Sequence, residues 1–567
     1  MSKNKKILAW ESVDWQSATN RVLSLQRRIY KAQTNGSKYR VHGLQKLLIN
    51  SLDAKLLAVQ WVTTLNKFHQ NLYMVDRQII TTPSEKMTMA QNLSLNGKSC
   101  SIKKVKPGKV AVAIEKRRIF YLGIPTIQDR AKQALAKYAL EPEWEAVFEP
   151  NSYGFRPGRS AHDAIEAVFI TLRHNRPKWV FDADIKKYFD RIDHSYLLSK
   201  LNTFPQMEEQ VRAWLKAGIT EEYANIPKTE PSFIGTPQGG IISPLLLNIA
   251  LHGLEHHLKE YVGGIALTSN KVTSPSNAAF GDVTLLEGDV NKAMSGQCIA
   301  PLGAIDCLPK RRQGLSFKSS PTAHRGNHIN HINHIKDARA ESLTIVRYAD
   351  DFVVIHPQRE ILDLCVDETR SWLSKVGLEL SEKKYSVKDC RESFTFLGFT
   401  ITLIQKQKRY KVKIVPSRES RRRYLDNVRN IIKSHRSAST YELISMLRPV
   451  VISWANYFRF CECMDIFSTQ THLLFQMLRH WAFRRHPNEA RSVVKEKYWP
   501  SGRTYYYDET KHQDDWVFCG KTLKKGLVVE NHLPQMTWIC SRKFVKIQGV
   551  KSPFDSDHAY WALINSK

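Results

Sequence analysis

Apolar residues recur at steps of three and four near the start of the chain, which predicts amphipathic helices between residues 10 and 66. The segments SATNRVLSLQRRIYKAQ and YRVHGLQKLLINSLDAKLLAVQWVTTL place arginine and lysine opposite the apolar face. Residues 67–110 lose this period and contain turn-forming runs such as TTPSE and NGKS, so we expect loops and short strands there. Residues 111–260 alternate between strand-like and helix-like stretches, as in an α/β or α+β domain.

The later half of the chain contains one stretch without periodicity. Between residues 262 and 340 Gly, Ser, Asn, Thr and His are frequent and the hydrophobic period fades. Such a composition does not support a core, so we expect a poorly packed insertion that projects from its domain. Dense β-branched residues return in LTIVRYADDFVVI, which predicts strand, and from residue 418 the pattern is helical and strongly basic.

The overall charge of the chain indicates which class of binding partner to expect. The 567 residues include 85 Lys and Arg against 54 Asp and Glu, which gives a net charge of +31, and 42% are hydrophobic. That hydrophobic share supports packed cores and excludes a merely disordered basic tail. The positive excess favours a polyanionic partner, because each phosphate neutralised by Lys or Arg releases a counterion. Since no apolar run approaches the ~18 residues of a membrane span, we expect no membrane partner.

The positive excess is concentrated in residues 404–500, which contain 20 lysines and arginines against 7 acidic residues. A solvated helix face alone would explain such a run. Aromatic residues among the basic ones favour a surface that contacts RNA or DNA instead, because rings stack on bases while cations pair with phosphates. The candidate RNA-binding residues are Arg421, Arg422, Arg423, Trp454, Tyr457, Arg484 and Arg485.

Two acidic elements are candidate metal ligands. In LTIVRYADDFVVI two strand-like runs flank Asp350 and Asp351, and a hairpin would hold both carboxylates at its tip. In WVFDADIKKYFDRIDH a short apolar strand ends at Asp182 and Asp184, which share a strand face because one residue separates them. Carboxylate oxygens suit Mg²⁺, and one of these acids with the later pair would form a two-metal site for in-line phosphoryl transfer. The spacing alone does not decide between Asp182 and Asp184.

Both acidic elements resemble motifs of reverse transcriptases. YADD resembles the YxDD box of that family, with Asp350 and Asp351 in the catalytic positions. DIKKYFDRI resembles the family's first acidic motif, in which the catalytic Asp precedes an aromatic residue by five positions. This match selects Asp184 with Phe189, and by the same resemblance Phe189 is the gate that clashes with a ribonucleotide 2′-hydroxyl.

Further blocks resemble, in the same order, group II intron reverse transcriptases of bacteria and organelles. FEPNSYGFRPGRSAHDAI looks like their second block, and GTPQGGIISPLLLNI looks like their fourth, whose glycines let the backbone approach template–primer and nucleotide closely. LELSEKK resembles a later block with a lysine, and FLGF resembles the primer grip. The resemblance implies nucleotide or template binding by Arg117, Arg118, Phe189, Gln238, Gly239 and Lys384, and a primer grip of Leu397, Gly398 and Phe399.

The basic region also resembles this family. LRPVVISWANYFRF and HWAFRRHPNEARSVVKEKYW look like the thumb and the RNA-binding maturase domain, and KFVKIQGVKSPFDSDHAYWA resembles the segment that leads into a Cys/His-rich endonuclease in related proteins. The implied fold is α/β (α+β): a right-hand polymerase of fingers and an antiparallel palm sheet, then an α-helical thumb and a helical maturase domain. The expected domains are an N-terminal helical extension with early fingers (1–110), fingers and palm (111–403, with the loop insertion 262–340), thumb and maturase domain (404–505) and a C-terminal segment without endonuclease (506–567).

Two fingers motifs depart from the family pattern. MVDR at 74–77 stands where Gly-Val-Asp-Gly is usual, so a close backbone approach there is in question. FY at 120–121 stands where Arg-Pro is usual before Leu-Gly-Ile-Pro. Arg117 and Arg118 lie close by and are the candidate substitutes for that arginine.

The resemblance implies an RNA-directed DNA polymerase that uses two Mg²⁺ ions and assists splicing of its host intron RNA. Intact Asp184, Asp350 and Asp351 favour this function. The altered fingers motifs favour the alternative of a maturase only, an RNA-binding splicing factor with weak or no polymerase activity. A stand-alone retron-type enzyme is disfavoured by the long basic C-terminal region.

The implied partners are group II intron RNA, an RNA template with a DNA primer, and deoxynucleoside triphosphates; the sequence leaves a homodimer open. The resemblance is closest in style to cyanobacterial and algal proteins. It therefore favours an organelle, a plastid before a mitochondrion, with a bacterial cytoplasm as the alternative.

Overall fold

The computed structural model describes most of the chain, in the ranges 9–65, 80–100, 102–105, 122–173, 176–186, 188–217, 219–221, 229–230, 239–268, 271–273, 336–382, 385–524 and 527–565. The two altered fingers motifs and nearly all of the predicted 262–340 insertion lie outside these ranges.

The described helices and strands have the following bounds. The α-helices are α1 Trp15–Thr34, α2 Lys38–Asn50, α3 Leu52–Gln60, α4 Pro83–Asn92, α5 Ile127–Glu145, α6 Ala161–Leu172, α7 Tyr188–Arg191, α8 His194–Leu201, α9 Pro205–Lys216, α10 Ser243–Leu251, α11 Leu254–Gly263, α12 Arg359–Lys375, α13 Arg418–Ser434, α14 Thr440–Phe458, α15 Met464–Arg485, α16 Arg491–Tyr498 and α17 His558–Asn565. The strands are β1 Ile102–Val105, β2 Leu122–Ile124, β3 Trp179–Lys186, β4 Ile219–Glu221, β5 Thr229–Glu230, β6 Ala266–Thr268, β7 Lys271–Thr273, β8 Thr344–Tyr348, β9 Asp351–His356, β10 Glu379–Leu380, β11 Ser386–Asp389, β12 Phe394–Phe396, β13 Phe399–Lys406, β14 Arg409–Pro416, β15 Thr504–Tyr507, β16 Thr510–Gln513, β17 Cys519–Lys524 and β18 Leu527–His532.

The N-terminal helices α1 to α3 pack around α5. Their apolar residues share one core with the helices that follow, including Ile29 of α1, Leu48 of α2 and Leu135 of α5. The ends of these helices follow local sequence signals: Asp14 accepts a hydrogen bond from the Ser17 N–H at the start of α1. The helices expected between residues 10 and 66 are therefore present.

A five-stranded antiparallel sheet lies at the centre of the molecule, in the order β10-β3-β9-β8, with β11 also paired to β3. Alternate residues of its strands enter different cores, since side chains alternate across a sheet. Phe181 and Phe352 belong to the N-terminal core, whereas Val180 and Val353 belong to a second core shared with the C-terminal helices. The sheet therefore separates two hydrophobic cores.

The C-terminal half begins with the meander β12-β13-β14 and continues into α13 to α16. Helix α13 buries Tyr424, Val428 and Ile432 at steps of four and exposes arginines on its other side. The domain boundary predicted at residue 404 falls within β13, which pairs along its whole length with β14. We therefore propose a boundary at Ser417, the N-cap of α13.

The region after α16 contains two β-hairpins, β15–β16 and β17–β18. Strand β17 lies against the start of α14, where a Cβ on Gly520 would be 2.6 Å from the backbone nitrogen of Tyr441. Across the ranges given above, every helix is too short or too polar to span a membrane.

Candidate active site

The hairpin of β8 and β9 presents two adjacent acids at its tip. The two strands are joined by the two-residue turn Ala349-Asp350, and Tyr348 pairs with Asp351 at the ends of the strands. Ala349 has φ 58°, in the left-handed region that such tight turns require. On the other side of β9, Asp351 pairs with Asp184 of β3. Since directly opposed residues project to the same face of an antiparallel sheet, these two carboxylates are neighbours.

The register brings Asp184, Asp350 and Asp351 together. Paired Cα atoms lie at about 4.5–5.5 Å and consecutive ones at about 3.8 Å, so Asp184 and Asp350 are within about 9.5 Å of each other. The Ile185 N–H also donates to the carbonyl oxygen of Asp350 at 3.3 Å. Asp182 lies two residues farther from the turn, so the geometry favours Asp184 as the acid beside the hairpin, although both line the same cleft.

A cleft of about 1380 Å³ opens in front of Asp182, Asp184 and Asp351, whereas Asp350 is not among its lining residues. The sheet forms one wall, and helices α13 and α14 with the turn after β12 form the other. The lining includes Asp182, Asp184, Asp351, Leu397, Gly398, Arg423, Asn427, Trp454 and Tyr457. As the described side chains stand, no three His, Cys, Asp or Glu residues converge closely enough to hold a metal ion. The cleft nevertheless offers acidic oxygen ligands on one wall and basic and aromatic groups on the other.

The turn between β12 and β13 is attached to the C-terminal helices through its carbonyl groups. Leu397 has φ 49° and Gly398 has φ 82°, so both residues adopt the left-handed conformation of a tight hairpin turn. The carbonyl oxygen of Gly398 accepts from Ser417 N–H at 2.9 Å and from Ser420 Oγ at 3.1 Å. Tyr457 Oη donates to the carbonyl oxygen of Leu397 at 3.0 Å. This turn is therefore fixed at the edge of the cleft.

Phe399, the third residue of the predicted primer grip, does not reach the cleft surface. Its side chain is 1% exposed and lies in the second core, with its ring centroid 4.8 Å from that of Phe458 and 5.4 Å from that of Tyr457. The reason is strand alternation, because Phe399 is the first residue of β13 and faces inward. In the structure the Phe399 side chain supports the turn from behind, and its place in the primer grip remains a prediction.

The FEPNSYGFRPGR block lies directly behind the acidic hairpin. Residues 151–153 run parallel to β8: Tyr153 N–H donates to the Arg347 carbonyl at 2.8 Å, and Arg347 N–H donates to the Asn151 carbonyl at 2.9 Å. Gly154 follows, and a Cβ there would lie 2.3 Å from the backbone nitrogen of Ala349. Only glycine fits this contact. The sequence analysis did not predict this supporting role. Gly154, which lies between Tyr153 and Phe155, was the local sequence signal for it.

Buried charges tie the same block to the hairpin. The Arg347 side chain, 4% exposed, donates to Asn248 Oδ1 at 3.2 Å and lies 3.8 Å from the Glu149 carboxylate. Asn248 in turn donates to the Gly154 carbonyl at 2.8 Å. Burial alone would raise the pKa of Glu149, but His252, whose Nδ1 lies 3.2 Å from the carboxylate, and the charge of Arg347 outweigh it and lower this pKa to about 2. An arginine inside an apolar strand was the sequence signal for this network.

Three candidate RNA-binding residues line the cleft: Arg423, Trp454 and Tyr457. Trp454 also packs with core residues, because its ring centroid lies 5.0 Å from that of Tyr424 and 4.8 Å from that of Phe458. The aromatic residues thus combine a structural role with an exposed edge in the cleft.

The other candidate RNA-binding residues lie elsewhere on the C-terminal helices. Arg422 is exposed and 3.9 Å from Asp426, whereas Arg421 is half-buried. Arg484 and Arg485 are exposed at the end of α15, and the Arg485 guanidinium lies 4.4 Å from the Trp481 ring centroid. They are not among the residues that line the cleft.

The remaining predicted site residues are placed as follows. Phe189 is half-buried on α7 and packs against the N-terminal core. Gly239 is half-buried, two residues before Ile241, whose N–H donates to Gln133 Oε1 at 2.8 Å. Arg117, Arg118, Gln238 and Lys384 lie outside the described residues.

Comparison with known families divides the chain in the same way. Residues 102–274 and 317–401 match the family described as reverse transcriptase (RNA-dependent DNA polymerase). Residues 10–93 match the N-terminal domain of reverse transcriptase, and residues 421–499 match the group II intron maturase-specific domain. The central match contains the β3 strand and the β8–β9 hairpin, and the last covers α13 to α16.

Individual relatives agree with these families. The chain is 30% identical over 286 residues to group II intron-encoded protein LtrA of Lactococcus lactis subsp. cremoris, over 49% of this chain and 44% of that protein. It is 28% identical over 297 residues to protein YkfC of Escherichia coli, over 51% of this chain and 64% of that protein. It is 28% identical over 252 residues to maturase-like protein 1 of Euglena gracilis, over 43% of this chain and 51% of that protein.

The matches thus span between 44% and 64% of these relatives' own lengths. They come from bacteria and from a euglenoid, and further matches include putative intron proteins of Saccharomyces cerevisiae. Together the three consecutive family matches extend from residue 10 to residue 499. The chain belongs to the family of group II intron-encoded reverse transcriptases and maturases.

Proposed function

We propose that this protein is an RNA-directed DNA polymerase that also assists the splicing of its host intron RNA. The observation that carries the proposal is the strand register that sets Asp184 opposite Asp351 at the tip of the β8–β9 hairpin. These acids face a cleft whose other wall contains Arg423 and Trp454, which suit a phosphate backbone and bases.

Reverse transcriptases as a family use Mg²⁺. We propose that Asp184, Asp350 and Asp351 hold two Mg²⁺ ions here, since carboxylate oxygens are the ligands that Mg²⁺ prefers and the three acids are neighbours. When bound, such ions supply activation of a primer 3′-hydroxyl and neutralise charge on the leaving pyrophosphate.

The residues around the acids have separate proposed tasks. The carbonyl-anchored turn at Leu397 and Gly398 positions the primer end, and Trp454 and Tyr457 contact the template–primer duplex. Phe189 excludes a ribonucleotide 2′-hydroxyl. The resemblance further assigns contacts with nucleotide or template to Arg117, Arg118, Gln238, Gly239 and Lys384.

The splicing role is proposed for the basic helices α13 to α15. Their exposed arginines, among them Arg422, Arg484 and Arg485, offer a surface for intron RNA outside the cleft. The relatives come from bacteria and eukaryotes, so we propose an organelle, with a plastid preferred, or a bacterial cytoplasm as the compartment.

The two acids of β3 provide a matched test of the polymerase proposal. Asp184→Asn and Asp182→Asn remove the same charge from the same strand face, but Asp184 pairs with the acid Asp351 of the hairpin, whereas Asp182 pairs with Val353. We expect Asp184→Asn to reduce primer extension on an RNA template at least ~10³-fold, and Asp182→Asn to reduce it less than ~10-fold.

Intron RNA binding is measured on the same preparations and should change little in either variant. Equal loss of extension in both variants would contradict the assignment of Asp184. If the unmodified protein extends no primer with Mg²⁺ but binds intron RNA, the maturase-only alternative is correct.

A further inference from the structure

Residues 542–561, which we call the strap, run across three separate parts of the molecule. At its start, Arg542 N–H donates to the Arg459 carbonyl just after α14, at 2.9 Å. Farther along, the carbonyl of Val550 accepts from Tyr30 Oη of α1 at 3.5 Å. Between these ends the strap covers the FEPNSYGFRPGRSAHD block, so it connects the N-terminal helices, the central sheet and the C-terminal helices.

Two buried charged side chains of that block form hydrogen bonds with the backbone of the strap. Arg159, 9% exposed, donates from Nη2 to the carbonyl of Gly549 at 2.7 Å and to that of Lys551 at 3.3 Å. Asp163, 1% exposed, accepts from the Ile547 N–H at 2.8 Å. Residues that the resemblance groups in the family's second block therefore bind another part of the same chain.

The glycine turn of the block is shaped to the strap. Gly158 has φ 75°, and a Cβ there would lie 3.0 Å from Pro553 Cγ and 3.1 Å from the ring of Trp561. The Trp561 ring is held by a hydrogen bond from its Nε1 to Asp555 Oδ1 at 3.1 Å. The close approach shows that the strap and this turn pack as one unit.

A short hydrogen-bonded path leads from the strap to the acidic hairpin. Lys546 Nζ donates to Tyr153 Oη at 3.3 Å and lies 5.8 Å from the centroid of its ring. Tyr153 is fully buried, and its Oη donates to Asn151 Oδ1 at 3.1 Å. The backbones of Asn151 and Tyr153 pair with Arg347, which directly precedes the Tyr348-Ala349-Asp350-Asp351 turn.

We infer that the strap positions the acidic hairpin. Lys546 is the positioning residue, because it contacts Tyr153, whose backbone pairs with Arg347 of β8. Without Lys546 the segment 151–153 loses its outer support, and the hairpin that it flanks loses part of its restraint. The consequence for catalysis rests on the proposed polymerase function, whereas the effect on the hairpin itself does not.

Hydrogen exchange of backbone amides tests the positioning directly in the full chain. Lys546→Met keeps the length of the side chain but removes its charge and its hydrogen bond to Tyr153. We expect the amides of Tyr153 and Arg347 to exchange at least ~5-fold faster in this variant, because their pairing opens more often. Lys546→Arg restores a cationic donor and should return exchange towards that of the unmodified protein.

Lys543→Met is the matched control, because Lys543 lies in the same strap three residues earlier but is exposed. It should leave both amides unchanged. The inference is overturned if Lys546→Met does not alter exchange at Tyr153 and Arg347, or if Lys543→Met alters it equally. Exchange outside residues 148–165, 344–356 and the strap should be unchanged, which separates positioning from general unfolding.

Primer extension supplies a second measurement. A hairpin that is present but less well held should lower kcat by about 5-fold or more, with little change in the KM for nucleotide. A variant that raises KM and leaves kcat unchanged would contradict positioning of the acids. If the unmodified protein extends no primer, the proposed function fails, and the exchange measurement still decides the role of the strap.

Discussion

The central sheet and the C-terminal helices use charge in opposite ways. Around the β8–β9 hairpin, charged groups such as Arg347 and Glu149 are buried and held by several partners. On α13, Arg422 and Arg423 are exposed and face acids of their own helix, at 3.9 Å from Asp426 and 3.7 Å from Glu419. The sheet therefore depends on particular pairings, whereas the arginines of α13 lie at the protein surface.

This difference sets the expected response to substitution. Removing one partner of a buried ion pair costs about 3–5 kcal/mol, because the other charge stays buried without compensation. An exposed pair on one helix contributes only about 0.3–0.5 kcal/mol. A single substitution of a buried charge should therefore strongly destabilise the region around the sheet. Each single substitution of an exposed arginine on α13 should have only a small effect.

The largest effect is expected from removing both acids of the hairpin turn. Asp350→Ala with Asp351→Ala deletes candidate metal ligands but leaves the basic surface intact, so primer extension should fall by at least ~10³-fold. Intron RNA binding, measured at several salt concentrations on the same preparation, should stay within ~2-fold. Loss of RNA binding as severe as the loss of extension would show that the two regions are not separable.

Acid should weaken the support of the hairpin through Glu149. Its pKa in the folded protein is about 2, below the ordinary 4.5, so its contribution to stability is complete above pH 4.5 and is lost as the pH falls towards 2. From this shift, the contribution at pH 7 is roughly 3 kcal/mol.

Glu149→Gln tests this contribution by chemical denaturation. The variant should be less stable than the unmodified protein at pH 7, and the gap should narrow by roughly 2 kcal/mol at pH 3. Glu419→Gln, at an exposed acid of α13, is the control and should show a small gap at both pH values. A gap for Glu149→Gln that does not change with pH would contradict the role of its charge.

The basic surface should respond through salt dependence. The sequence analysis proposed Arg421, Arg422 and Arg423 as RNA-binding residues. Arg421 is half-buried, so the test substitutes the two exposed arginines, Arg422 and Arg423. Arg422→Ala with Arg423→Ala should weaken intron RNA binding about 10-fold and reduce the slope of log K against log salt by about 1.5. Because Arg423 also lines the cleft, primer extension at saturating template–primer should fall as well, but less than RNA binding does.

A pair of exposed lysines in the later hairpins, Lys511 and Lys521, provides the control for that measurement. Changing both to Ala removes the same amount of charge from a different surface. An equal change in the salt slope would show that overall charge, and not the α13 surface, governs binding.

The smallest effect is expected at the turn that joins the two regions. Gly398→Ala places a Cβ 2.9 Å from Ser420 Oγ on a backbone with φ 82°, which costs about 1–2 kcal/mol. Primer extension should fall about 5-fold, because the turn shifts at the edge of the cleft. Adding Ser420→Ala removes this contact together with the hydrogen bond from Ser420 Oγ to the Gly398 carbonyl, so the Ser420→Ala single variant is the control. A loss in the double variant smaller than the sum of the two single losses would assign part of the effect to the contact, and additive losses would assign it to backbone strain.

The sequence predicted the elements whose patterns are local. The N-terminal helices follow from apolar spacing, and the hairpin follows from two β-branched runs around Asp350 and Asp351. Spacing could not choose between Asp182 and Asp184, because both occupy one strand face; the register with Asp351 favours Asp184. The roles of these acids remain predictions until the variants are measured.

What the sequence did not predict depends on long-range contact. Phe399 appears in a short motif with Leu397 and Gly398, yet only the sheet shows that it faces the core. Likewise, nothing local to Tyr153 or Asp163 indicates that residues nearly four hundred positions later bind to them. Such pairings arise from the packing of separate segments, which a single sequence does not encode by period or spacing.

The hydrogen bonds that join the α13–α14 helices to the turn after β12 have a consequence for sequence change. Tyr457 and Ser420 reach carbonyl oxygens of the turn and not its side chains. A carbonyl oxygen is the same for every amino acid, so this joint survives replacement of the Leu397 side chain provided that the backbone keeps its shape. The side chain that this turn presents to the cleft can therefore change without disconnecting the two halves of the protein.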